Sequence, residues 1–253
     1  MDLDHVAIAT RDVTDLLSTL VGRLGAPVMF GGANLGFRAM QVDGGDLRIE
    51  LLEPFNIDVN DFLERFLQAN GEGPHHLTFK TDDIRAELAR AEAAGYTPVG
   101  VNLEVPFWQE AFIHPKQASG TVIQIAQSAF GPLDFGQDAP SGAPGDGAGA
   151  FGPGRWWPEP PAPAPSRAIL RRVVITTDEM ARSLGLYAEL LGGKRTDFGE
   201  GWVELGWPGG GRIRLEHAAG RREGIDRLEW THAGPALEIE VAGTSFVLYS
   251  DSS

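Results

Sequence analysis

Gly73-Pro74-His75-His76-Leu77-Thr78-Phe79-Lys80-Thr81 is an alternating run that reads as a strand, opened by a Gly-Pro pair that breaks whatever precedes it. Histidine is the commonest metal ligand, so two of them at a strand mouth call for partners elsewhere. One lies near the N-terminus, where Asp4-His5-Val6-Ala7-Ile8-Ala9-Thr10 has the same shape and sets His5 in register with His76. Acidic caps and apolar residues at helical spacing follow both strands, from Asp12 and from Asp82, and each helix stops at a glycine, Gly25 or Gly95. Further on, Leu47-Arg48-Ile49-Glu50-Leu51-Leu52 corresponds to Thr121-Val122-Ile123-Gln124-Ile125-Ala126, so Glu50 stands opposite Gln124. A repeat that returns polar residues at matched strand positions is more than a packing pattern.

Outward from these strands, residues 1–128 read as two copies of one order, strand, helix, then three strands, over 1–55 and 73–128. The first helix is expected from Val13 to Leu24. Between the copies, Val59 to Leu67 has the spacing of a short helix that would turn Phe62 and Phe66 inward. Residues 129–167 change composition to Pro, Gly and Ala, with an extended polyproline-type run from Pro158 to Pro165. Trp156 and Trp157 interrupt this linker and are read as an anchor onto a neighbouring surface.

A third copy opens at Leu170 and closes at Gly211 to Glu216, and a fourth, from Ile225 to Tyr249, leaves no room for a helix. In the third copy Arg172 takes the place of His5 and His76, and Arg214 that of Glu50 and Gln124. Guanidinium groups do not coordinate a cation, so residues 168–253 read as a degenerate, truncated copy without a metal site of this kind. The fold class expected is α+β: tandem βαβββ modules pairing into a curved, cup-like mixed sheet, with a second degenerate copy.

The chain has 253 residues, 42% hydrophobic and 22% charged, with a net charge of −14 and no cysteine. Such a length buries a sizeable core. The acidity and the lack of a Lys/Arg cluster argue against nucleic acid. Without thiols there are no disulfides, and any metal must be held by nitrogen and oxygen. No basic, apolar leader and no membrane-length apolar run is read, so a cytoplasmic protein with a small-molecule substrate is expected, and a homodimer is left open.

A cup-like sheet would bring His5, Glu50, His76 and Gln124 together. Two imidazoles, a carboxylate and an amide oxygen suit one divalent first-row ion, cobalt, nickel, zinc, manganese or iron, with positions open to substrate. At this point the chain resembles the vicinal oxygen chelate superfamily, the glyoxalase, bleomycin-resistance and extradiol-dioxygenase group, and in look the methylmalonyl-CoA epimerases. The likeness is carried by Leu3 to Ala9, Ile49-Glu50-Leu51-Leu52-Glu53-Pro54, His75-His76-Leu77, Phe112-Ile113-His114-Pro115-Lys116 and Gly120-Thr121-Val122-Ile123-Gln124.

The resemblance implies that His5, Glu50, His76 and Gln124 are the metal ligands. It departs at Gln124, where the epimerases and glyoxalases usually have a glutamate, and between Pro27 and Val42, which hold no second carboxylate. Glu50 would then combine ligand and base in an isomerase or epimerase, or a lyase, working through a metal-stabilised enolate of an acyl-thioester or 2-oxo compound. One base suits a one-face isomerase or lyase better than a standard epimerase, unless Glu110 or His114 carries the second proton. Lys116 either contacts an anionic substrate or sits with His114 in a turn. An extradiol-type iron(II) dioxygenase built on His5, His76 and Glu50, and a non-catalytic binding or resistance protein, are the alternatives.

Overall fold

The chain is described by a computed structural model over residues 1–33, 36–128 and 158–251. The Trp156 and Trp157 anchor and most of the expected linker lie outside the described residues. The first module consists of β1 (Asp2–Ala9), helix α1 (Thr14–Leu17, continued as a π-turn over Ser18–Arg23), β2 (Val28–Ala33), β3 (Phe37–Asp43) and β4 (Arg48–Pro54). Helix α2 (Phe62–Asn70) leads to β5 (Gly73–Lys80), α3 (Ile84–Ala93), β6 (Pro98–Asn102), β7 (Trp108–Ile113) and β8 (Val122–Ser128).

The order recurs as β9 (Ile169–Thr177), α4 (Met180–Leu184, continued as a π-turn over Gly185–Leu190), β10 (Lys194–Gly199), β11 (Trp202–Gly206) and β12 (Arg212–His217). Then β13 (Gly224–His232) is followed by the hairpin of β14 (Leu237–Val241) and β15 (Thr244–Ser250), with no helix among the described residues of that last part. Ala242 and Gly243 turn this hairpin with φ of 46° and 61°, the mirror-image turn that matches strand twist.

Two mixed sheets result, neither closed. The eight-stranded one has the order β2-β3-β4-β1-β5-β8-β7-β6 and the seven-stranded one β10-β11-β12-β9-β13-β15-β14. Each of the first three modules folds its three-strand meander back so that its last strand lies beside its first. β5 and β8 run parallel with Thr78 opposite Gln124, and β9 and β12 run parallel with Val173 opposite Ile213. A parallel pair needs a crossover, and the helix between first and second strands supplies it. The α+β tandem architecture expected from the repeat is the one observed.

By contacts the chain divides into two compact units that do not follow chain order: Met1–Val6, His75–Ala129 and Arg171–Glu229 form one, and Ala7–Pro74, Phe130–Leu170 and Trp230–Ser253 the other. In the first, hydroxyls of Ser119, Ser183 and Thr177 link up at 2.7 and 2.8 Å, and the Arg90 guanidinium donates to the carbonyls of Glu189 and Leu190 at the end of the α4 π-turn. The rings of Phe79 and Trp207 pack 5.4 Å apart. Glu223 accepts from the Thr177 hydroxyl and the Asp178 amide.

In the second unit, Ala7, Ala9, Leu52, Leu63 and Leu67 form a buried cluster beneath α2. Phe62 and Phe66 pack against this cluster as expected and are partly buried, while Leu63 and Leu67 occupy the innermost stripe. Residues 158–168 are neither helix nor strand, and Ala164 and Ala168 donate to the carbonyls of Val21 and Leu24 along the end of α1. Glu72, just before β5, accepts from the Thr10 hydroxyl at 2.9 Å and the Arg11 amide at 2.7 Å, the counterpart of Glu223.

Where the first sheet carries histidines, the second carries an ion-pair lattice. Glu204 is buried and pairs with Arg172, with Arg212 at 3.1 Å and with Arg214 at 3.4 Å, while Arg172 also reaches Glu229 at 2.8 Å. Burial alone would raise the Glu204 pKa, but Arg172 and the hydrogen bonds from Thr196, Arg172 and Arg212 outweigh it and hold it below the usual 4.5. A depressed carboxyl stabilises the fold above its unfolded-state pKa and loses that contribution as pH falls through its folded value. Glu204→Gln is therefore expected to cost about 3 kcal/mol at neutral pH. In urea titrations the gap to the unmodified chain should close as pH drops below 4.5; a gap independent of pH would refute the ion-pair account.

Candidate metal centre

Strand alternation brings the polar residues of the repeat onto shared faces. On β5, Thr78 and Lys80 follow His76 at every second position, and on β8 the register sets Gln124 opposite Thr78. On β4, Glu50 faces Gln41 of β3 across an antiparallel pair, with Gln41 Nε2 3.5 Å from Glu50 Oε1. One group of His, Asp or Glu side chains among the described residues is arranged to hold a cation: His5, Glu50 and His76, whose ligand atoms all lie within 4.8 Å of one another. Both imidazoles are buried and Glu50 is half-buried.

Each histidine engages the residue just before it. His5 Nδ1 lies 2.7 Å from Asp4 Oδ2, and His76 Nδ1 lies 2.7 Å from His75 Nδ1. A carboxylate on Nδ1 selects the tautomer with Nδ1–H and leaves Nε2 with its lone pair, the usual support for a ligating imidazole. Asp4 is itself paired with Lys80 at 3.5 Å. Burial pushes the His76 pKa well below 6.5, and the neighbouring His75 and His5 add to the shift, so His76 is neutral at physiological pH, the form that coordinates.

Gln124 is buried on β8. Its amide nitrogen donates to Glu110 Oε2 at 2.7 Å, and its oxygen meets the Thr78 hydroxyl, which is also 2.9 Å from His5 Nε2. The single proton of Thr78 thus stands between two basic atoms. The donors here are the nitrogen and oxygen types that first-row divalent ions take. These residues fit the metal that the repeat suggested.

The remaining expected site residues divide. Glu110 comes into the polar network through Gln124 and through the Trp108 indole N–H at 2.8 Å. His114 and Lys116 are exposed, and His114 Nδ1 accepts from the Lys116 amide at 3.2 Å, capping the short turn Pro115–Gln117. The turn read for that stretch is observed. Asp4, Thr78 and Gln41 were not anticipated. Asp4 and His75 hold the same position in the two copies, which was a readable signal; the bridging role of Thr78 needed the β5 to β8 register.

The seven-stranded sheet has no such group among its described residues. Arg172 and Arg214 stand at the matching positions, and Arg214 lies 4.1 Å from the centre of the Trp202 ring.

None of the curated proteins matches the chain. A hypothetical protein from Staphylococcus aureus shares the fold at TM-score 0.66 and 13% identity, covering 98% of this chain and 99% of its own. Over 51% of this chain, a hypothetical protein from Bacillus halodurans is similar at 25% identity and TM-score 0.47, over 96% of its own length. Methylmalonyl-CoA epimerase from Mycobacterium tuberculosis is similar over the same share at 26% identity and TM-score 0.45, over 89% of its length. The family model for the glyoxalase/bleomycin resistance protein/dioxygenase superfamily matches residues 4–112.

Proposed function

We propose that this protein is a divalent-metal-dependent isomerase, epimerase or lyase that removes a proton next to a carbonyl in a small acyl-thioester or 2-oxo compound. The observation that carries the reading is the convergence of two buried imidazoles and one half-buried carboxylate within 4.8 Å, on a domain of a superfamily that commonly holds a divalent ion. His5, Glu50 and His76 would hold the ion, with the Gln124 amide oxygen as fourth ligand. When bound, the ion supplies Lewis acidity toward substrate oxygens. The chain supplies the rest.

Glu50 is the carboxylate of the group and takes the carbon-bound proton. The amide of Gln41 contacts Oε1 of Glu50, and Arg48 Nη1 lies 3.4 Å from Gln41 Oε1, a cross-strand support that holds the carboxylate over the site. Glu110 is engaged by Gln124 and Trp108 through one oxygen, Oε2, which orients it. A single base favours proton transfer on one face of the carbon, as isomerisation or elimination requires, over two-base epimerisation.

The same two-histidine, one-carboxylate set also suits iron(II) with open positions, so oxygen uptake on catechols by iron-loaded protein is the second reading.

Two outcomes are expected. Protein stripped with chelator and titrated with cobalt should bind one ion per chain, and His76→Ala should weaken that binding by at least about 100-fold. Two ions per chain would mean that the Arg172 half also holds metal; none would remove the reading. In deuterated water the metal-loaded protein should catalyse hydrogen exchange at the carbon next to the carbonyl of a panel of acyl-thioesters and 2-oxo acids. Glu50→Gln, compared at equal metal occupancy, should slow that exchange by about 1,000-fold; retention of exchange would take the base role from Glu50.

A further inference from the structure

Of the ligands read above, Gln124 differs from the others in having two unlike ends. Only the amide oxygen coordinates a cation, and the amide nitrogen repels one. Rotating the amide by half a turn exchanges them at little steric cost, so its neighbours must decide which end faces the site. On one side is a carboxylate, which only accepts; on the other is the Thr78 hydroxyl, whose oxygen lies 2.9 Å from His5 Nε2.

We propose that Glu110 is the positioning residue that presents the oxygen of Gln124 to the metal site. Oε2 of Glu110 takes the amide N–H at 2.7 Å, a hydrogen bond strengthened by the acceptor's charge. In the reversed orientation, amide oxygen would face carboxylate oxygen. The register explains the reach: Phe112 of β7 is opposite Gln124, and Glu110, two residues along and opposite Ala126, is its diagonal neighbour on the same face. Glu110 is anchored in turn, since Trp108 Nε1 donates to the same Oε2 at 2.8 Å and the Trp108 ring lies 5.5 Å from Lys80 Nζ. Lys80 pairs with Asp4, which holds His5. The supports of Gln124 and His5 thus form one circuit.

This assignment rests on Gln124 being a ligand, and the test separates the two claims. Cobalt affinity of the full chain is measured by titration of the visible ligand-field absorption, with circular dichroism and melting temperature to verify folding. Glu110→Ala should weaken affinity by about 10- to 100-fold. Glu110→Gln, whose amide oxygen still accepts from Gln124, should stay within about threefold of the unmodified chain. With Gln124→Glu in place no orientation is needed, since both ends of a carboxylate coordinate, and adding Glu110→Ala should then cost nothing.

Undiminished affinity in Glu110→Ala, beside a loss in Gln124→Ala, overturns the positioning role and leaves Gln124 a ligand. An equal loss on removing Glu110 from both backgrounds also overturns it, because Glu110 then acts on the site other than through Gln124. Undiminished affinity in Gln124→Ala removes Gln124 from the ligand set and this proposal with it.

Discussion

Parallel pairing of a module's first and last strands is the constraint on which the rest depends. Once a helix has carried the chain over and a meander has brought it back, the final strand can only lie beside the first in one direction, and the register sets which side chains meet. On β5 and β8 it sets Thr78 beside Gln124; on β9 and β12 it sets Val174 beside Arg214. Inward side chains recur at every second residue, so a few short, well-registered strands suffice to gather polar groups that are far apart in sequence. The chemistry is then a choice of residues at positions that the backbone has already brought together.

The two halves make that choice in opposite ways. In one, neutral and acidic donors converge in a set that accepts a cation. In the other, arginines occupy the matching positions and the carboxylates of Glu204 and Glu229 neutralise them. Both solve the same problem, since polar groups at the middle of a sheet cannot be left uncompensated. The ion-pair lattice carries its counter-charges in the chain, whereas the histidine half groups two imidazoles with the Glu50 carboxylate. Net stability gained from buried ion pairs is small, but breaking one is costly, which is how a half without the metal-site residues can keep a demanding structure.

Much of this was legible in the residues. The His5 and His76 match, Glu50 opposite Gln124, and the arginines in the third copy all followed from aligning the chain with itself, and Gly25 and Gly95 take the left-handed conformation that a helix stop requires. What was not legible depended on contacts across strands. Gln124 reads as a ligand from its position, but the amide has a preferred end only because Glu110 arrives from a different strand. That Leu63 and Leu67, rather than Phe62 and Phe66, are the buried residues of α2 depends on its packing against Ala7, Ala9 and Leu52. The π-turns that complete α1 and α4, in the first and third modules, have no counterpart in α3, and the apolar spacing gives no sign of the difference.

Glu72 is outside the candidate metal centre, yet it stands immediately before the strand that carries both histidines. The carboxylate grips the Thr10 hydroxyl and the Arg11 amide just past β1, and the chain enters β5 at once through Gly73, whose φ of 149° and close approach to the Gly243 carbonyl disfavour a side chain. Strands exchange faces with every single-residue slip. A chain that entered β5 one residue earlier or later would therefore turn His75, not His76, toward Glu50. The carboxylate and glycine sit where such a slip would begin, ahead of two chemically identical neighbours of which His76 is the one grouped with Glu50.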